Sequence, residues 1–86
     1  MITRENLSSV LDMLTEQEIK ESMEAKTDMV LLTVSSYGCV SLTPSFDYEE
    51  DQEEAESTGG IWCDKDDFLR LFSESDSINP FLIELI

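Results

Sequence analysis

"DMVLLTVSSYGCVSLTPSFDY", residues 28 to 48, is the stretch whose reading decides the fold. Val30, Leu32 and Val34 alternate with other residues at period two, the spacing of a strand with one buried face. Beyond Tyr37-Gly38 the alternation resumes at Val40, Leu42, Pro44, Phe46 and Tyr48. A two-residue turn at Tyr37-Gly38 would set Val34 against Ser41, apolar against polar. A three-residue loop of Ser36, Tyr37 and Gly38 instead pairs Val34 with Val40 and Leu32 with Leu42. Its last position calls for left-handed backbone, which Gly38 adopts without steric cost. The register follows, because a slip of one residue would turn every apolar side chain to the wrong face. Pro44 has no N–H for a ladder, so the second strand is expected at a sheet edge, or bulged there. Carried on through Phe46 and Tyr48, the alternation makes the acidic segment 47–58 an edge-strand extension or a loop.

The flanks of this hairpin read as helices. Thr3 is placed to cap a first helix, with Glu5 in its first turn, and Leu7, Val10, Leu11 and Leu14 form one buried stripe. Thr15-x-x-Glu18 is a capping box that would restart the chain as a second helix, burying Ile19 and Met23 and exposing Glu16, Glu21 and Glu24. One bent helix over residues 4–25 is the alternative. After the turn signal of Gly59-Gly60, residues 60–63 could add a third strand. Asp64 then caps a helix with Asp66 and Asp67 in its first turn and Phe68, Leu71 and Phe72 on its buried face. Asn79 followed by Pro80 suits the start of a short terminal helix, although residues 81–86 could also pair as a strand.

The expected fold is a single α+β domain over residues 1–86. It has one or two N-terminal helices, a central antiparallel hairpin that could extend to a three-stranded sheet, and C-terminal helical segments. The expected core is Leu7, Val10, Leu11, Leu14, Ile19, Val30, Leu32, Val34, Val40, Leu42, Trp62, Phe68, Leu71 and Phe72.

Charge sets the function classes. Twenty acids against five bases give a formal net charge of −15, where a magnitude of roughly 2 to 8 suffices for the solubility of a small domain. Such a surface repels nucleic acid and anionic membranes and speeds encounter with a basic partner. No Lys or Arg falls between Lys26 and Lys65, an interval that holds nine acids. The charge is densest between Asp47 and Glu56, where seven of ten residues are acidic.

Catalysis has little to work with. There is no His, which removes the usual general base near neutral pH and the commonest metal ligand. Cys39 and Cys63 have no basic cluster beside them to lower a thiol pKa, and both read as small buried hydrophobes, reduced in the cytoplasm. A calcium loop beginning at Asp47 would need Gly at its sixth position and Glu at its twelfth, but Gln52 and Thr58 stand there; one beginning at Asp64 meets Leu69 at its sixth. The chain is therefore expected to be neither an enzyme nor a holder of metal or cofactor. With no apolar leader and no apolar run near the roughly 20 residues that cross a bilayer, it is expected in the cytoplasm and off the membrane.

Asp47, Tyr48, Glu49, Glu50, Asp51, Glu53, Glu54 and Glu56 are the candidate partner-binding residues, the carboxylates standing in for phosphates and Tyr48 supplying an apolar anchor. Extended, the ten residues from Asp47 to Glu56, with seven charges, would cover about 33 Å. That is one charge per about 4.7 Å, against one per roughly 3.4 Å along a DNA strand. In size and charge, though in no motif, the chain resembles small acidic phage and mobile-element proteins that block restriction, CRISPR or repair enzymes. The expected function is stoichiometric inhibition of a basic DNA- or RNA-handling protein. The alternatives are a small acidic immunity protein or antitoxin that neutralises a basic nuclease toxin, and a non-catalytic acidic adaptor subunit. In the adaptor reading an apolar edge of Phe46, Tyr48, Phe81 and Ile83 could complete itself in a homodimer.

Overall fold

A computed structural model describes residues 1–86. Its elements run α1 (Leu7–Asp12), α2 (Glu16–Glu24), β1 (Met29–Val34), β2 (Val40–Ser45), α3 (Tyr48–Thr58), β3 (Ile61–Asp64), α4 (Lys65–Glu74) and α5 (Pro80–Ile83). The three strands form one antiparallel sheet in the order β2-β1-β3. The fold is α+β, as the sequence patterning implies.

The hairpin has the register set by its apolar residues: Val34 faces Val40, Leu32 faces Leu42 and Val30 faces Pro44. Ser35 N–H donates to Cys39 O at 2.9 Å, so the loop is Ser36 to Gly38, and Gly38 takes φ 83 at its last position. Since β2 is an edge strand, half of its peptide groups point away from β1. Two side chains of α2 meet those of Leu42: its N–H donates to Glu18 Oε2 at 3.2 Å, and its C=O accepts from Ser22 Oγ at 3.2 Å. Glu18 also closes the capping box with Thr15, so one carboxylate starts α2 and satisfies the sheet edge. Two residues on, the alternation of the ladder turns Pro44 outward as well. The N–H it lacks would have had no strand partner.

The sheet is covered on both faces. Val30, Leu32 and Leu42 lie on one face, in a core with Val10, Leu11, Leu14, Ile19, Phe68, Phe72 and Leu82 from the helices. Leu31 and Trp62, which pair with each other, lie on the opposite face with Ser45, and there the covering element is α3. Leu31 and Ala55 are buried on that second face, and single-face periodicity gives no sign of either. Leu82 is a further core residue beyond the expected set, brought in by α5. Of that set, Leu7, Val34, Val40, Trp62 and Leu71 are only half-buried.

Three expectations need correction. Segment 47–58 is neither loop nor strand: β2 stops at Ser45, Phe46 is exposed, and Asp47 caps a helix by accepting the N–H of Glu50 at 3.1 Å. Acids in its first turn favour the dipole, Glu, Gln and Ala suit its interior, and Gly59 ends it in the left-handed region at φ 70. The N-terminal region is two helices, as the Thr15-x-x-Glu18 box implies, but Thr3 does not cap the first: α1 begins only at Leu7, and Thr3 Oγ1 accepts the N–H of Asn6, a turn before the helix. Cys39 is exposed beside the hairpin loop, whereas Cys63 packs against the core. Burial first, then the charges of Asp67 and Asp64, push the Cys63 thiol from its ordinary 9.0 up to about 11.

Candidate partner-binding face

Helix α3 has almost no apolar stripe, so what holds it on the sheet is mostly polar. Ser45, wholly buried at the end of β2, accepts a hydrogen bond from Trp62 Nε1 at 2.9 Å and donates one to Asp51 Oδ2 at 2.7 Å. Thr27 Oγ1 donates to the Ser45 carbonyl at 2.6 Å and lies 3.2 Å from the Tyr48 hydroxyl. The Tyr48 ring meets Trp62 edge-on, centroids 5.8 Å apart. Ala55 completes the inner face. Its small side chain lets the helix axis lie close to β1 and β3.

These contacts divide the sequence-derived site. Asp51 faces the sheet and is engaged by Ser45. Asp47 serves as the helix cap, and Tyr48 is braced between Thr27 and Trp62 while remaining 47 % exposed. Glu49, Glu50, Glu53, Glu54 and Glu56 all point outward and are exposed. Phe46, 67 % exposed immediately before the helix, is the apolar side chain left free beside them. It belonged to the strand pattern in the sequence, which hid its place at the rim of the acidic face.

The helix changes the charge geometry. Ten residues at a rise of about 1.5 Å span about 15 Å instead of 33 Å. Glu49 to Glu56 spans about 10.5 Å of axis, so five outward carboxylates stand at one per about 2 Å. Duplex DNA carries one charge per about 1.7 Å of axis when both strands are counted. The density thus matches a duplex rather than one strand.

None of these carboxylates is neutralised within the molecule. The one ion pair of the protein joins Arg70 to Asp67 at 3.1 Å, on α4. Lys65 spends its amine on the carbonyls of Met23 and Ala25, at 3.0 and 2.8 Å, closing the C-terminal end of α2. Glu49 and Glu53, and Glu50 and Glu54, are like charges one helical turn apart, each pair destabilising by about 0.2–0.5 kcal/mol. No cluster of His, Cys, Asp or Glu side chains is arranged to hold a metal ion, and no helix is long and apolar enough to cross a membrane. Comparison of the chain with protein-family models, curated proteins and solved structures finds no match to any of them.

Proposed function

We propose that this protein is a stoichiometric inhibitor of a basic DNA- or RNA-handling protein, acting in the cytoplasm without turnover. Helix α3 would lie in the partner's nucleic-acid channel, with Glu49, Glu50, Glu53, Glu54 and Glu56 at its phosphate sites. Phe46 would supply the apolar contact that fixes orientation where charge alone would slide. The observation that carries this reading is an uncompensated glutamate face at duplex-like axial density, anchored from behind by the Trp62–Ser45–Asp51 chain. A helix with repelling glutamates lowers stability, and a cationic partner would turn that cost into attraction. A restriction, CRISPR or repair enzyme would meet this requirement, because a channel that holds a phosphate backbone is lined with Lys and Arg.

The test is capture of partners from a nuclease-treated bacterial lysate on the tagged protein. The control is a variant carrying Glu49→Gln, Glu50→Gln, Glu53→Gln and Glu54→Gln. All four positions are exposed, so the fold should survive. The expected result is one nucleic-acid-handling protein held by the wild type alone and displaced by duplex DNA. Equal capture by both proteins, or indifference to DNA, would remove α3 from the interface.

A further inference from the structure

On the helical side of the sheet, away from α3, a second surface has a different character. Between α2 and α5 lies a groove of about 280 Å³ whose floor includes Met23, Phe81 and Leu85 and whose rim carries Glu16, Glu24 and Glu84. Three carboxylates against the single ammonium of Lys20 leave the groove at net −2 (−3 + 1). Leu85 in that floor is 43 % exposed, so apolar surface in the groove is open to solvent. From Glu16 to Glu24 the groove follows two turns of α2, about 12 Å.

We infer that the α2–α5 groove is a docking surface for a basic amphipathic helix of a protein partner. Charge selects that occupant. An apolar floor takes one side of a short helix, through residues spaced at i, i+3 and i+4. The acidic rim would then meet Lys or Arg flanking that stripe. A second copy of this chain would bring a net charge of −15 to the same rim, acid against acid. An anionic lipid surface or a nucleic acid meets the same repulsion. Because the groove and α3 lie on opposite sides of the sheet, the two surfaces can be occupied together, and each can be disabled alone.

The probes are two labelled peptides of about 16 residues, long enough to span the groove with a turn to spare at each end. One is an amphipathic Leu/Lys helix; the other has the same lysines with every Leu replaced by Gln. Binding is read by fluorescence anisotropy and by the four methionine methyl signals, of which Met23 lies in the groove and Met13 does not. The Leu/Lys peptide should bind about tenfold or more tightly than its Gln/Lys counterpart, shifting the Met23 methyl and leaving Met13 unmoved. Leu85→Glu, at an exposed position, should remove most of that preference, and the quadruple Gln variant of α3 should keep it. Equal affinity for the two peptides would overturn the inference, since charge alone would then explain binding. So would a Met23 shift that appears on concentrating the protein without peptide, which would make a second copy the occupant.

Discussion

Ser45→Ala should loosen α3 from the sheet while leaving every glutamate in the sequence. The wild-type hydroxyl is wholly buried and joins Trp62 Nε1 at 2.9 Å to Asp51 at 2.7 Å. Removing it leaves a half-buried indole N–H without its acceptor, a loss of about 1 kcal/mol, and deletes a bond to a charged acceptor worth about 1.5 kcal/mol. The lost volume is one oxygen, so no cavity term of consequence adds to this. A total of about 2–3 kcal/mol is a large part of the 5–15 kcal/mol typical of a whole domain. It would lower Tm by on the order of 10–20 °C for a chain of this size. Trp62 is the only tryptophan, so urea unfolding followed by its fluorescence reads both the stability and the local environment. Asp51→Asn keeps an acceptor for Ser45 and should cost less than half as much. A change below about 0.5 kcal/mol for Ser45→Ala, with native emission unshifted, would refute the argument that this chain of bonds anchors the helix.

Glu53→Gln with Glu54→Gln relieves two like-charge pairs of α3 beyond the dipole-favoured first turn, and should stabilise by about 0.4–1 kcal/mol. Tm would then rise by about 2–6 °C at about 20 mM salt, with the gain shrinking at about 300 mM as screening removes the repulsion; scanning calorimetry at both salts checks it. Glu18→Ala removes both the N-terminal box of α2 and the acceptor for the Leu42 N–H. It should cost about 1–2 kcal/mol and expose the β2 amides to hydrogen exchange. The Cys63 thiol ionises near its ordinary 9.0 in the unfolded chain but is pushed up to about 11 when folded. The unfolded state therefore loses its proton first, and stability should fall as pH rises from about 9 to about 11; Cys63→Ala should flatten that decline in urea titrations. By the same shift, a disulfide reagent at pH 8 should modify exposed Cys39 at least about tenfold faster than Cys63.

How legible the molecule was differed from element to element. Val30, Leu32, Val40 and Leu42 specified the hairpin register because period two and a glycine-ended loop admit few pairings. Thr15-x-x-Glu18, Asp64 before two further acids, and Asn79-Pro80 marked helix starts, because capping is chemistry between near neighbours. The acidic segment was the failure. Asp47-x-x-Glu50 followed by a Glu-, Gln- and Ala-rich run to Gly59 also carries a helix signal, but the even-numbered pattern through Phe46 and Tyr48 concealed it.

By itself, the sequence determined the charge, the hairpin, the main apolar face and the α+β class, since each depends on composition or on residues close along the chain. Only the tertiary structure decided that the sheet is covered on both sides and that α3 is the element on the second. It also separated Asp51, held by Ser45, from the five outward glutamates, and it set Met23 against Phe81 and Leu85. Those outcomes depend on contacts such as Trp62 to Ser45, or Glu18 to Leu42, between residues 17 and 24 positions apart. Local pattern does not reach across such separations, because packing selects among the pairings that propensity leaves equal.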